Sequence, residues 1–345
     1  MVPILQVENL VVTFPGSRRR TRISAVDDIS LNLHPGEIVG LVGESGCGKS
    51  TLGRSIVGLE RPTSGRILFH GVDLQSLTGK KLRDTRRNIQ YIFQDPYASL
   101  NERQTTGQTL DEALKIGGER DPVKRKKRIL DLLQQVGLPE ESAQRYAREM
   151  SGGQRQRVAI ARALAVDPQV LICDEPVSAL DLSIRAQVMN LFLKLQKELG
   201  VACLFIAHDL TVVRQAANRV LVMYLGRLME TGESDELYRR ASHPYTQALL
   251  SAIPNPDPRI ERNRQRIVLQ GDLPSPTEPP SGCRFRTRCP MAVEACAAQV
   301  PAQVKLADQH TSACLFANQL YQSQREQYSL SGLSAPGTMP RLSAV

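Results

Sequence analysis

Residues 3–14 alternate weakly between apolar and polar positions, which predicts a strand. A basic loop follows with Arg18, Arg19, Arg20 and Arg22, and alternation then resumes from Ile23 to Leu33. His34-Pro35-Gly36 is a turn. Glu37 to Val42 (EIVGLV) predicts a short buried strand that runs straight into a Gly-rich loop, with a helix over 50–59. Between about 60 and 93, Pro62, Gly65, Gly71 and Gly79 punctuate strand-like runs such as Arg66–Phe69 and Ile89–Phe93. From about 107 to 165 the pattern is helical, and Lys124–Val136 puts Ile129, Leu132, Leu133 and Val136 on one face. A second buried strand is expected at Gln169–Cys173, a helix at 184–199 and a strand at Ala202–Ile206. This strand–helix–strand rhythm predicts an α/β fold, a parallel sheet with helices on its faces.

Composition narrows the picture. A chain of 345 residues with 41% hydrophobic positions has room for two or three domains and a sizeable core. Aromatics are 4% and Trp is absent, which argues against a stacking surface for single-stranded nucleic acid. No apolar run reaches the roughly 18 residues that a membrane helix needs. The opening MVPILQVENL has no basic n-region followed by an apolar stretch, so no secretory signal is expected. Prolines crowd residues 254–281 and mark a linker or an irregular appended region, and the final Ser/Gln-rich residues are expected to fray. Seven Cys suggest a reducing compartment, yet four of them fall between 283 and 314. The net charge of +9 favours anionic partners.

The sharpest chemistry lies in Gly43-Glu44-Ser45-Gly46-Cys47-Gly48-Lys49-Ser50, a G-x-x-x-x-G-K-[ST] loop between a strand and a helix. Its glycines let backbone N–H groups turn inward around phosphate, and the helix aims its positive end at the anion. Lys49 is expected to reach the β- and γ-phosphates and Ser50 to ligate Mg²⁺. Cys47 reads as a small filler whose backbone does the binding, with a reactive thiol as the alternative. Asp174-Glu175 ends the second apolar strand. Alone, this is an acidic pair closing a strand. Beside a phosphate loop, Asp174 is placed to hold Mg²⁺ and Glu175 to polarise a water attacking the γ-phosphate.

Ser151-Gly152-Gly153-Gln154, continuing as RQRVAIAR, makes the chain resemble an ATP-binding cassette protein over about residues 3–250. Without the resemblance, Ser151 is only a good helix cap. The resemblance implies a RecA-like P-loop NTPase: a parallel-sheet core, an antiparallel β subdomain, a helical signature subdomain and a small C-terminal extension. It implies that Ser151, Gly152, Gly153 and Gln154 bind the γ-phosphate held by the other cassette of a dimer. Gln94 matches the Q-loop, which senses Mg²⁺ and the attacking water. Ser178-Ala179-Leu180-Asp181 matches the D-loop and His208 the switch histidine. Phe14 matches the aromatic that stacks on adenine, and Thr51 joins the phosphate-loop residues as a nucleotide contact. The implied catalytic set is Glu175, His208, Gln94 and Lys49, with Ser50, Gln94 and Asp174 at the Mg²⁺.

Phe93-Gln-Asp-Pro-Tyr-Ala-Ser-Leu-Asn101, His243-Pro-Tyr-Thr-Gln-Ala-Leu-Leu250, Leu273-Pro-Ser-Pro, Gly282-Cys-Arg-Phe and Arg288-Cys-Pro resemble importers for oligopeptides, dipeptides and nickel. The implied organisation is a nucleotide-binding domain over 1–253, with its helical subdomain at about 95–165. An extension over 254–325 and a flexible tail over 326–345 come after it. The implied assembly has a paralogous ATPase subunit as heterodimer partner, two membrane permease subunits and, indirectly, a solute-binding protein. Its place is the cytoplasmic face of a bacterial inner membrane, with the segment near 95–105 touching the permease. The rivals are a soluble cassette ATPase acting on nucleic acid or ribosomes, a nickel- or glutathione-type importer, and an exporter. No nucleic-acid partner is expected, since exposed Arg18–Arg22 and Lys124–Arg128 beside an anionic leaflet account for the charge.

Cys283, Cys289, Cys296 and Cys314 are separated by five, six and seventeen residues. Four thiols suit zinc or a [4Fe–4S] cluster, and free thiols or a disulfide stay open. Zinc knuckles usually have a tight pair, absent here, and the resemblance points to the cluster over zinc.

Overall fold

In a computed structural model of the chain, the described residues are 2–16, 22–95, 99–254, 257–263 and 266–331. Three expectations fall wholly or partly outside them: the basic loop Arg18–Arg20, the middle of the segment near 95–105, and the tail from 332 onward.

Eight strands form the central sheet. Its members are β3 (Ile38–Val42), β6 (Ile89–Ile92), β7 (Val170–Asp174), β8 (Ala202–Ala207), β9 (Arg219–Tyr224), β10 (Arg227–Glu233), β11 (Val304–Ala307) and β12 (His310–Ser312). They lie in the order β11-β12-β10-β9-β3-β8-β7-β6. The block from β9 to β6 is parallel, while β10, β12 and β11 add antiparallel at one edge. Every residue of β3, β7 and β8 is buried, the near-continuous apolar run that a sheet covered on both faces demands.

The two-residue period of the strands sorts their side chains onto two cores. Val39, Leu41, Ile172 and Ile206 join helix Lys49–Ile56 and a second, four-stranded antiparallel sheet on one face. That sheet runs β2-β1-β4-β5, from Arg22–Leu33, Leu5–Pro15, Ser64–Phe69 and Val72–Asp73 respectively. Ile38, Val42, Cys173 and Phe205 face the other way, against helices Gly152–Leu164 and Leu182–Leu199.

The helical stretch expected over 107–165 is three helices, Thr106–Gly117, Pro122–Gln135 and Gly152–Leu164. Breaks come where the chain turns left-handed, at Gly118 (φ 105°) and Gly137 (φ 67°). Local chemistry starts each helix: a Thr105–Gln108 capping box, an Asp121 cap before Pro122, and a Ser151–Gln154 capping box. Ile129, Leu132, Leu133 and Val136 are buried together as their spacing predicts. The expectation that Lys124–Arg128 is all exposed needs two corrections. Arg128 is half-buried and pairs with Asp167. Arg125 is buried, because its turn of the helix faces Asp111, whose Oδ1 accepts from Arg125 Nε at 2.6 Å.

The C-terminal residues do not hang free of the sheet. β12 pairs with β10, and the buried imidazole of His310 lies 2.8 Å from the buried Glu230 carboxylate. Phe285, fully buried, packs among Tyr224, Tyr245 and His243. Helix Ala317–Ser331 carries regular backbone six residues past 325, into the segment expected to be a flexible tail.

Candidate functional site

Parallel pairing aligns the carboxyl ends of β3, β6, β7 and β8. Val42 registers with Ala207, Asp174 with Ile206 and Ile92 with Cys173. The residues just past these four strands are therefore gathered at one edge, the usual ligand-binding edge of an α/β sheet. They are the loop 43–50, Gln94, Glu175 and His208.

The loop closes tightly on the rest of the protein. A Cβ on Gly43 would come within 2.1 Å of the Met223 carbonyl oxygen, and one on Gly48 within 1.9 Å of the Ala25 carbonyl oxygen. Gly48 also sits at φ 106° as the residue before helix Lys49–Ile56, so no side chain fits there on either ground. Lys49 is buried, and its ammonium donates to the carbonyls of Gly43 (2.7 Å) and Glu44 (3.0 Å). A fixed positive charge thus stands at the loop's centre, ahead of a helix N-terminus. Burial, outweighing the Lys49 charge, pushes the Cys47 thiol above its ordinary pKa, as befits a filler and not a reactive group.

Ser50 Oγ donates to Asp174 Oδ1 at 2.9 Å, which joins the loop to the end of β7. The other oxygen, Oδ2, accepts from Tyr91 of β6 at 2.6 Å. Burial and the Asp174 charge hold the Tyr91 hydroxyl protonated, well above the ordinary tyrosine range, so it acts as a donor. Hard oxygen donors of this kind suit Mg²⁺, which keeps several waters and takes few protein ligands.

Glu175 carries backbone φ of 45°, a left-handed conformation that a non-glycine residue rarely adopts. Its N–H donates to the Ile206 carbonyl at 3.0 Å, which fixes it against β8. Oε2 accepts from Gln94 Nε2 at 3.0 Å and lies 3.0 Å from His208 Nδ1. Residues from three strand ends therefore converge on one carboxylate oxygen. Strain held at such a point is characteristic of functional sites.

Ser151–Gln154 stands apart, at the start of helix Gly152–Leu164. Ser151 Oγ accepts from the Gln154 N–H at 3.3 Å, and Gln154 Oε1 accepts from the Ser151 N–H at 3.0 Å. A Cβ on Gly153 would meet Ile184 Cγ2 at 2.5 Å, so this glycine gives the room for helix Leu182–Leu199 to close on the motif. Asp181, exposed, precedes that helix. Phe14 is half-buried on β1 opposite Ile23 of β2, and Thr51 is half-buried in helix Lys49–Ile56.

All seven cysteines are free thiols. Cys173 and Cys203 lie 3.7 Å apart in the core, where burial raises the Cys173 pKa. Cys283, Cys289, Cys296 and Cys314 all lie within electrostatic reach of one another. Burial raises the thiol pKa of Cys283 and Cys289 and pushes Cys314 up to about 11. Among the described residues, no three His, Cys, Asp or Glu side chains close tightly enough to hold a single metal ion.

Three polar partners of the site are not among the residues expected there: Tyr91 on Asp174, and Tyr245 and Arg288 on Glu44. A tyrosine hydroxyl at a buried position of the short strand Ile89–Ile92 is the single hint of the first. The motifs His243-Pro-Tyr-Thr and Arg288-Cys-Pro mark the segments of the others, but contacts made across 201 and 244 residues leave no local signal of their partner.

A family model described as "ABC transporter" matches residues 26–178, and one described as "Oligopeptide/dipeptide transporter, C-terminal region" matches residues 229–296. Over 313 residues the chain is 51% identical to a provisionally named peptide import ATP-binding protein of Brucella ovis, covering 91% of this chain and 98% of that protein. Over 320 residues it is 49% identical to the oligopeptide transport ATP-binding protein OppF of Haemophilus influenzae, covering 90% and 96%. Among solved structures, a dimeric ATP-binding cassette in a post-hydrolysis state with ADP and Pi aligns at a TM-score of 0.61. It is 31% identical, over 67% of this chain and 98% of that one.

Proposed function

The chain belongs to the ATP-binding cassette transporter family, and we propose that it is the ATP-hydrolysing subunit of an importer for dipeptides and oligopeptides. The names of its relatives favour peptide import over the nucleic-acid, ribosome and nickel readings. The family works with membrane permease subunits, and among the described residues no helix is long and apolar enough to cross a membrane.

The observation that carries the catalytic reading is the Gln94–Glu175–His208 convergence beside the Ser50–Asp174 pair. The phosphate loop wraps the β- and γ-phosphates, with Lys49 neutralising their charge and Thr51 and Phe14 completing the nucleotide contacts. Ser50, Asp174 and Gln94 would hold Mg²⁺, which supplies further charge neutralisation on the phosphates. Glu175 polarises the attacking water; Gln94 and His208 aim its carboxylate and line the γ-phosphate. The signature residues Ser151–Gln154 complete the site of a partner cassette, with Asp181 at the contact. The partner is a paralogous subunit, and the pair sits on the cytoplasmic face of the inner membrane, fed indirectly by a solute-binding protein. Residues 1–253 form the nucleotide-binding unit, with its helical subdomain at about 95–165 and the segment near 95–105 touching the permease, and 254–325 form the extension.

Cys283, Cys289, Cys296 and Cys314 would hold a [4Fe–4S] cluster in preference to zinc. Support comes from the four thiols lying near one another in the extension. When bound, the cluster supplies a cross-link among the turns of the extension. Iron and acid-labile sulfide in anaerobically purified chain would match this assignment, whereas tight zinc with little iron would refute it. The import reading is tested with the chain, its partner cassette and its permease in proteoliposomes. Peptide loaded on the binding protein should raise ATP turnover and accumulate inside. Turnover indifferent to peptide would contradict it.

A further inference from the structure

Glu44 occupies a position that the G-x-x-x-x-G-K-[ST] pattern leaves open, yet all three of its polar groups are held. Its carbonyl accepts from Lys49, its N–H donates to the hydroxyl of Tyr245 at 3.0 Å, and its carboxylate oxygens take Arg288 Nη1 at 2.9 and 2.8 Å. Tyr245 is fully buried, and the Arg288 side chain is only 10% exposed. Arg288 comes from the C-terminal extension, immediately before Cys289.

A second path runs from the same turn. Arg284, immediately after Cys283, bonds the Leu225 carbonyl and Asp27. Leu225 and Gly226 form the β9–β10 turn, and the Gly226 N–H donates to the Cys47 carbonyl of the phosphate loop at 2.8 Å. Between the two arginines, Phe285 is wedged against Tyr224 and Tyr245. The residues bracketed by Cys283 and Cys289 thus touch the phosphate loop directly through Glu44 and, one step removed, through Cys47.

We propose that the turn from Cys283 to Cys289 is a positioning element of the ATP site, with Arg288 as the residue that holds Glu44 and thereby the loop's opening turn. The proposal rests on residues 43–50 being the nucleotide site, and it goes beyond that reading by giving the extension a part in ATP binding. The thiols at either end of the turn consequently report to the loop. A change that displaces Cys283 or Cys289 moves Arg284 and Arg288, and the loop relaxes with them. The carboxylate and guanidinium are mostly removed from water, so losing one partner leaves the other poorly compensated.

The test uses the full-length chain and measures ATP binding by calorimetry, with hydrogen exchange over residues 43–50. Glu44→Gln and Arg288→Met should each raise the ATP Kd by roughly tenfold, as expected for one lost charge-assisted pair. The double variant should bind no worse than either single one, because both remove the same contact. Exchange over the loop should quicken in Arg288→Met, and Arg288→Lys, which keeps a charge, should recover part of the affinity. Cys289→Ser should raise the Kd in the same direction. Lys49→Ala is the control on the underlying reading: wild-type ATP binding in that variant would refute the nucleotide site itself. If Lys49→Ala abolishes binding while Arg288→Met keeps wild-type Kd and loop exchange, the positioning role is overturned. A loss of thermal stability in Arg288→Met with unchanged Kd overturns it equally.

Discussion

His208 Nδ1 lies 3.0 Å from Glu175 Oε2, so the residues just past the ends of β7 and β8 meet on one carboxylate oxygen. Glu175 is 15% exposed at the side chain and His208 55%, which leaves the imidazole open to a ligand while the carboxylate is walled in. Replacing His208 by Ala should lower ATP turnover by roughly a hundredfold while leaving KM for ATP near its starting value, since positioning of a general base acts on the chemical step. Steady-state phosphate release measures both. A change confined to KM would assign His208 to binding alone.

Tyr91 and Ser50 divide the two oxygens of Asp174 between them. Removing the phenol in Tyr91→Phe frees Oδ2 inside the protein, and a lost partner on a buried charged group costs about 1–3 kcal/mol. The freed carboxylate also loses its fixed orientation. The half-saturating Mg²⁺ concentration for ATP turnover should rise several-fold and the urea midpoint should fall. Unchanged Mg²⁺ dependence would show that Asp174 needs no such support.

His243 caps helix Pro244–Ser251 through Nδ1, which accepts from the Tyr245 N–H at 3.1 Å. Burial pushes its pKa down to about 3 from an ordinary 6.5. Below pH 6.5 the unfolded chain takes up a proton that the folded chain refuses. Stability is therefore complete above pH 6.5 and is lost as pH falls from there toward 3, by at most about 1.4 kcal/mol per pH unit from this group. His243→Asn keeps an acceptor for the Tyr245 N–H and cannot titrate. Denaturant unfolding at pH 7.0, 6.0 and 5.0 should show a shallower pH dependence in the variant. Equal slopes would place the acid sensitivity elsewhere.

The parts of the site that can be read from the sequence are those made by neighbours in the chain. A phosphate loop needs its glycines, its lysine and its flanking strand and helix within some 20 residues, and Asp174-Glu175 closes an apolar run that declares itself a strand. The buried strands β3, β7 and β8 fall within a residue or two of their expected bounds, because a fully covered strand leaves an unbroken apolar signature. What stays hidden comes from packing. Arg125 is one of five consecutive basic residues, and only the phase of its helix against Asp111 turns it inward. The pairing of β12 with β10 joins residues about 80 apart, and the Arg288–Glu44 pair spans 244 positions. Neither has a local pattern, because the energy that selects it is supplied by the finished core around Phe285, Tyr224 and Tyr245.

Glu175→Gln removes the group placed to take a proton from the attacking water. The amide keeps the shape of the side chain but cannot accept the proton of an attacking water. Purified variant and wild-type chains, each with its partner cassette, would be mixed with MgATP and followed for phosphate release and for retained nucleotide. ATP should bind with wild-type affinity and stay unhydrolysed in a closed cassette dimer, with turnover reduced by at least about a hundredfold, the scale of general-base loss. Turnover close to wild type would contradict the assignment of Glu175 and, with it, the account of the site built on its carboxylate.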